Sequence, residues 1–376
     1  MTEPPVLGPR ALNRALLARQ HLLTPVDLTP EQLTPEQLTE HLIGLQAQAT
    51  DPPYYGLWSR LREFRPEQLS ALIENRGLVR LGLQRGTIHL VTAADCLRLR
   101  PLFQPVLDQA LRGNFGARLT GLDLDALTER GRALVEAEPR TFQELGALLA
   151  ADHPGRDPAA LAQVLRARLA LVQVPPRGLW QTSGAAAHTT AEQWLGRPLT
   201  APADQQAALD RLVSRYLAAF GPATVADIQK WSGLTGLTAV LKRLRPGLLE
   251  FRDERGRALY DLPDAPRPDP ATEAPVRLAA PFDNLLLSHA DRTRVLPEPY
   301  RPLVMSRNGI VQGTVLVDGF VAGCWQLTRE PGRTAAVLKP FTALSRTAQR
   351  QAQAEAERLL AFAAPQAAAH EVRFVS

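Results

Sequence analysis

The chain is predicted to be α+β, with three tandem winged-helix modules ahead of a C-terminal β-barrel-like domain. Three observations carry this expectation. Helical clusters closed by a hairpin recur three times, each with an Arg-Gly pair at or beside the turn: Arg85-Gly86, Arg177-Gly178 and Arg255-Gly256. Pro263, Pro266, Pro268, Pro270 and Pro275 then mark a stiff, extended linker. Beyond it the apolar period changes from helical to mostly alternating. The expected boundaries are 10–118, 119–200 and 201–262 for the modules, 263–275 for the linker and 276–376 for the last domain.

Residues 12–23 set Leu12, Ala15, Leu16, Arg19 and Leu23 on one helical stripe. Leu-Thr-Pro-Glu-Gln-Leu follows twice in tandem, at 28–33 and 33–38, and the second copy offers Thr34 as cap and Pro35 as first helical residue. Leu38, Leu42, Leu45 and Ala49 continue at helical spacing, so a helix is expected to run to the glutamines at 46 and 48. Pro52 and Pro53 forbid its simple continuation, and Asp51 is placed to cap the next helix. Residues two apart lie about 200° apart around a helix but on one side of an extended chain. Gln46 and Gln48 therefore converge only if the backbone leaves helical geometry.

Short helices are expected over 54–61 and 66–74, after which 79–92 alternates as two strands joined at Gln84-Arg85-Gly86. The order repeats with helices over 123–138, 142–151 and 158–171, and with strands 171–174 and 178–182 flanking Pro175-Pro176-Arg177. It repeats again with a helix over 202–220, a helix-turn-helix over 225–234 and 238–244, and strands 248–252 and 258–262. After the linker come strands at 276–280, 309–317, 320–328 and 333–339, a tight turn at Asp318-Gly319, a covering helix over 344–362 and a terminal strand at 371–375. A small barrel or curled sheet carrying a helix is the simplest assembly.

Composition narrows the function classes. The 376 residues, 45% of them hydrophobic, suffice for two to four domains. A net charge of +5 favours a polyanionic partner. Lys230, Lys242 and Lys339 are the only lysines among 43 basic residues. Arginine's planar fork suits phosphates and base edges, although GC-rich coding produces the same bias. Cys96 and Cys324 are too few for a disulfide framework or a zinc site, so no metal and no cofactor are expected. Residues 1–10 lack an apolar signal region and no run approaches a membrane span. A cytoplasmic, nucleoid-associated monomer is the expectation.

Winged helices offer a helix to a groove and a wing to the backbone, although they also dock proteins. Arg85, Arg177 and Arg255 at the wing tips lie where phosphates would pass, and Thr87 and His89, which follow in the first wing, are further candidates for contact with DNA. His89 reads nearly as well as a partly buried strand residue. Arg292 and Arg294 alternate on a further strand and are candidates for the DNA backbone. His289, Asp291 and Arg292 lack a third metal ligand at useful spacing and read as a hydrogen-bond cluster. By residue type alone, the two glutamines are solvated or capping side chains.

A resemblance changes their weight. Gln46-Ala47-Gln48 matches the glutamine–hydrophobic–glutamine motif of the AlkZ-like (YcaQ-like) winged-helix DNA glycosylases. Arg85-Gly86-Thr87-Ile88-His89-Leu90 with the following residues 91–95, and residues 281–295, which begin Pro281-Phe282-Asp283-Asn284 and include Ser288-His289-Ala290-Asp291-Arg292-Thr293-Arg294, are similar to that family as well, over a span of about residues 10–340. The resemblance implies tandem winged helices around a DNA channel, a C-terminal barrel, and excision of N7-alkylated purines, crosslinked ones included, from double-stranded DNA. It also implies that Gln46 and Gln48 are catalytic. YcaQ-like members carry aspartate at the second position and are the form better associated with broad crosslink repair, so Gln48 follows the AlkZ-type pattern and leaves the accepted lesion open. Alkylation at N7 already makes the base a good leaving group, so two amides that place a water suffice. No lysine precedes residue 230, so a monofunctional glycosylase without lyase activity is expected. The rival readings are a non-catalytic winged-helix regulator and a protein-docking module.

Overall fold

The computed structural model describes residues 3–28 and 33–375, so most of the first tandem hexapeptide lies outside the described residues. In chain order the strands are β1 (Val6–Leu7), β2 (Leu45–Gln46), β3 (Leu78–Gly82), β4 (Ile88–Thr92), β5 (Arg140–Thr141), β6 (Leu171–Gln173) and β7 (Ala187–Thr190). They continue as β8 (Leu249–Asp253), β9 (Ala258–Asp261), β10 (Arg277–Ala279), β11 (Gly313–Val317), β12 (Phe320–Glu330), β13 (Arg333–Pro340) and β14 (Ala369–Phe374). Among the described residues they form three sheets, ordered β1-β8-β9, β2-β4-β3-β6-β7-β5 and β10-β11-β12-β13-β14. The fold is a mixed α+β architecture, and no described helix is long and apolar enough to cross a membrane.

The hairpin β3–β4 forms as its alternation requires, with Arg85 and Gly86 both at positive φ in the turn. The second hairpin differs from expectation: β6 pairs with β7 and not with residues 178–182. Pro175 and Pro176 lack the N–H groups a ladder needs, and Trp180 packs instead against Tyr54, Tyr55 and Phe362. β3 also pairs with β6, so one sheet crosses residue 118, the edge expected between the first two modules. The helices Val225–Ser232 and Leu237–Leu244 precede the third hairpin, β8–β9, as the sequence suggested.

The last sheet stays open. β10 and β14 are its two edges, and β14 lies parallel to β13 after a crossover through the helix Arg346–Ala363. The expected barrel therefore does not close among the described residues. Alternation identifies strands but says nothing about whether the two edges meet. The crossover helix buries Ala352, Ala356, Leu359, Leu360 and Ala363 against the sheet and leaves most of its charged residues, Glu355 excepted, to solvent.

Buried arginines tie distant segments together. From the helix Pro9–Arg19, Arg14 donates to the Thr272 carbonyl at 2.6 Å and Arg19 pairs with Asp261 through two contacts of 2.7 Å, which fastens the proline-rich stretch along this helix. Arg60 meets Asp283 at 2.7 and 2.9 Å, both side chains being buried. Removing one partner of such a pair leaves a charge uncompensated in a dry interior. Asp283→Ala is therefore expected to lower the unfolding free energy by about 3–5 kcal/mol. Urea titration of the purified variant checks it, and a loss below about 1 kcal/mol would show that Arg60 finds water or another partner.

Candidate functional site

The glutamine segment is set up by an early helix stop. Thr34 and Gln37 cap one another at the start of the helix Pro35–His41, as Thr34-Pro35 suggested. The helix ends at His41, several residues before the expected point, because Ile43 and Gly44 both take positive φ, 54° and 93°. A Cβ on residue 44 would stand 2.6 Å from Val91 Cγ1, so only glycine fits the turn without strain. The chain then runs extended: Leu45 and Gln46 pair with Leu90 and His89, and the Ala47 N–H donates to the Ile88 carbonyl at 2.8 Å. Asp51 makes no side-chain cap, although Pro52 opens the next helix as expected.

An extended chain presents alternate residues to one side. Leu45, Gln46 and Ala47 are buried, and Gln48 is exposed. Arg85 Nη2 donates to Gln46 Oε1 at 2.8 Å, and the Ile88 N–H donates to Gln48 Oε1 at 3.3 Å. Each amide oxygen accepts one described hydrogen bond and retains a second lone pair.

His89 is buried beside this pair. Its Nδ1 lies 3.1 Å from the Thr87 carbonyl, which can only accept, so Nδ1 carries the proton and Nε2 turns a lone pair to Arg85 Nη2 at 3.3 Å. Burial, reinforced by the Arg85 charge, pushes the imidazole pKa down to about 3. Arg85 is itself lowered to about 10, by burial and then by the field of Arg292, and remains protonated near neutrality. Its Nη1 donates to the Trp231 carbonyl at 2.5 Å.

The other expected residues divide between the neighbourhood and the scaffold. Thr87 Oγ1 closes the turn on the Gln84 carbonyl at 3.1 Å. Arg292, expected on a strand, sits in a loop with Nε on the Leu286 carbonyl at 2.7 Å and its charge felt at Arg85. Arg177 lies beside Arg80 and donates to the Gly184 carbonyl at 3.0 Å. Arg255 is exposed at the third hairpin and 3.4 Å from Asp291. Arg294 is buried and bonded to the Pro222 carbonyl at 2.8 Å, so it offers no surface, contrary to its expected placement on a strand facing DNA. His289 is likewise buried, bonded to the Phe220 carbonyl at 3.0 Å and held neutral by burial and the Arg294 charge.

Sequence reasoning missed Arg80, Gln84 and Asn284. Arg80 Nη2 donates to the Ala47 carbonyl at 2.8 Å, Gln84 Nε2 to the Ile43 carbonyl at 2.8 Å, and Asn284 Nδ2 to the Gly44 carbonyl at 2.7 Å. The available signal for Arg80 was an arginine between Val79 and Leu81 on a strand; for Asn284 it was its place in the Pro281-Phe282-Asp283-Asn284 match. Among the described residues, the hydrogen-bond partners of Arg80, Arg85, Arg177 and Arg292 are carbonyls, glutamines and a histidine, none a carboxylate.

Burial also holds His188 near about 4, as it holds His89 near about 3. Both lie below the ordinary 6.5, so the unfolded chain takes up protons at these sites while the native chain does not. The stabilisation is complete above about pH 6.5 and is lost as pH falls toward the folded values, by about 1.4 kcal/mol per pH unit per histidine. The expected outcome is an unfolding free energy that declines between about pH 6.5 and about pH 5, with a shallower decline in His89→Gln. Urea titrations across that range check it, and an identical slope in the variant would mean that His89 protonates in the native state.

A family model described as DNA glycosylase AlkZ-like matches residues 39–362. The interstrand DNA cross-link repair glycosylase of Streptomyces sahachiroi is 26% identical over 316 residues, covering 76% of this chain and 80% of that protein. The solved structure of Streptomyces sahachiroi DNA glycosylase AlkZ has a TM-score of 0.81 at 21% identity, across 98% of this chain and 100% of the other, which is a likeness of fold. With the match spanning most of the chain, including the Gln-Ala-Gln segment and everything that touches it, this protein belongs to the AlkZ-like DNA glycosylase family.

Proposed function

We propose that this glycosylase hydrolyses the N-glycosidic bond of N7-alkylated purines in duplex DNA, crosslinked purines included, and that Gln46 and Gln48 direct the attacking water. The observation that carries the reading is the pair of carboxamides at and just beyond the end of β2, both bonded to the β3–β4 hairpin, each oxygen fixed by one donor and each keeping a lone pair for solvent. In the reaction the C1′–N9 electron pair moves to the purine and neutralises the charge that N7 alkylation placed on the ring. Water adds to C1′ and releases a proton to solvent. The departing base needs no protonation, so orientation of the water is the main task left to the protein. A carbonyl dipole beside the sugar also favours the oxocarbenium character of the transition state.

The absence of lyase action is part of the proposal. The side chains bonded to Gln46 and Arg85 are a guanidinium, an amide and an imidazole, none of them the amine that a Schiff base requires. We also read the three helix-plus-hairpin units as winged-helix modules with the boundaries given above, the first two sharing a sheet, and Arg177, Arg255 and Arg292 as contacts to phosphates. Interstrand crosslinks enter because a relative of this chain is named for their repair.

Gln46→Ala and Gln48→Ala proteins are expected to release N7-methylguanine from a methylated duplex about 10²–10³-fold more slowly than the parent while binding it with similar affinity. Base-release analysis on N7-methylated and mustard-crosslinked duplexes, with borohydride trapping in parallel, is the measurement. Full activity in both variants would remove the proposed roles, and a trapped covalent adduct would remove the monofunctional assignment. Sequence-selective binding without base release would favour a regulator.

A further inference from the structure

Arg85 was expected at an exposed wing tip, where a phosphate would meet it. Its side chain instead turns back from a left-handed turn residue, φ 56°, and is half-buried between β4 and the helix Val225–Ser232. Nη1 is taken by the Trp231 carbonyl and Nη2 by Gln46 Oε1 and His89 Nε2, at 2.5, 2.8 and 3.3 Å. We propose that Arg85 is a positioning residue, which sets the orientation of the Gln46 carboxamide for the water it directs, and is not a contact to DNA.

A guanidinium has donors and no acceptor, so only the oxygen of the Gln46 amide can face it. An isolated glutamine could present either end of its amide to the water, whereas beside Arg85 the oxygen is fixed and the amide nitrogen points away. His89 contributes from the other side. Its protonated Nδ1 is tied to the Thr87 carbonyl, so Nε2 is an acceptor that holds the same guanidinium nitrogen. The Trp231 carbonyl anchors the far end, which couples a helix about 145 residues away in sequence to the orientation of one amide. Both terminal nitrogens of Arg85 are thus engaged, with three of its five N–H donors taken inside the protein. Arg292, whose described bond uses only Nε, keeps its terminal nitrogens for a phosphate.

The proposal rests on the reading of Gln46 as water-directing, and the experiment separates the two. Full-length Arg85→Met, Arg85→Lys, Gln46→Ala and the double variant Arg85→Met/Gln46→Ala are compared by single-turnover release of N7-methylguanine from a methylated duplex with enzyme in excess. Duplex affinity is measured against salt concentration in parallel. Arg85→Met is expected to slow release about 10²-fold with affinity and salt slope unchanged, and the double variant to be no slower than Gln46→Ala alone. Arg85→Lys keeps the charge and much of the volume but cannot reach Gln46 and Trp231 together, so it is expected to be slowed as well; it serves if the methionine variant does not fold. A parent-like rate in Arg85→Lys, multiplicative losses in the double variant, or a salt slope reduced by about one phosphate contact would overturn the proposal. A parent-like rate in Gln46→Ala would instead overturn the reading beneath it.

Discussion

The backbone of residues 43–48 is held from several sides, and the site exists only because it is. Gln84, Asn284 and Arg80 donate to the carbonyls of Ile43, Gly44 and Ala47 at 2.7–2.8 Å, and the Ala47 N–H donates to Ile88 at 2.8 Å. These partners come from the first hairpin and from the start of the last domain. Ile43, a β-branched residue at positive φ, is an unfavourable conformation costing about 1–3 kcal/mol, and it persists where surrounding bonds over-determine it. Strain of this kind turns a helix into a strand within a few residues. It thereby brings Gln46 and Gln48 against the β3–β4 hairpin, where Arg85 and the Ile88 N–H donate to their oxygens.

Two classes of buried or half-buried arginine perform different tasks around this segment. Arg19 and Arg60 are neutralised by Asp261 and Asp283 and clamp elements more than 200 positions apart. Arg80 and Arg85 sit nearer the glutamines and bond to carbonyls, an amide and an imidazole. Burial of a cation without a carboxylate is unfavourable, and both guanidiniums show it in pKa values pulled down to about 10, first by burial and then by a neighbouring arginine. That cost is borne where each guanidinium fixes a carbonyl or amide oxygen of the glutamine segment, Arg80 at Ala47 and Arg85 at Gln46.

Much of this architecture was legible in the sequence, and the exceptions share a cause. The β3–β4 and β8–β9 hairpins and the helix opened by Thr34-Pro35 followed from alternation, turn residues and caps, which are local. The helix stop was misplaced because Leu45 and Ala49 fall at helical spacing, while the actual stop depends on Gln84 and Asn284 from distant segments. The helices Ala93–Leu102 and Gln104–Phe115 were overlooked; Pro101 lies inside the first and Pro105 opens the second, which obscures a helical reading of both. Sheet closure, the excursion after Pro175-Pro176 and the merging of two hairpins through β3 and β6 are decisions between elements. For the site, the motif identified the glutamines, but residue type suggested that Arg85 and Arg294 lie at the surface. Nothing in a single sequence distinguishes an arginine that meets solvent from one that meets a carbonyl.

The same surroundings explain why neutral carboxamides suit this position. A carboxylate at residue 46 would sit 2.8 Å from the Arg85 nitrogen that now bonds the amide, and a charge-assisted pair of that kind would draw its lone pairs toward the guanidinium. An amide oxygen accepts the same bond more weakly and leaves its second lone pair for water. For a substrate whose leaving base already carries a positive charge, a stronger base at the site adds little to bond breaking, because the barrier there is set by the sugar and not by proton removal. What the protein can contribute is a fixed water and a fixed dipole. In the proposed reaction a short strand braced by Arg80 and Arg85 supplies both without a titrating group, since the neighbouring His89 imidazole is held neutral by its burial.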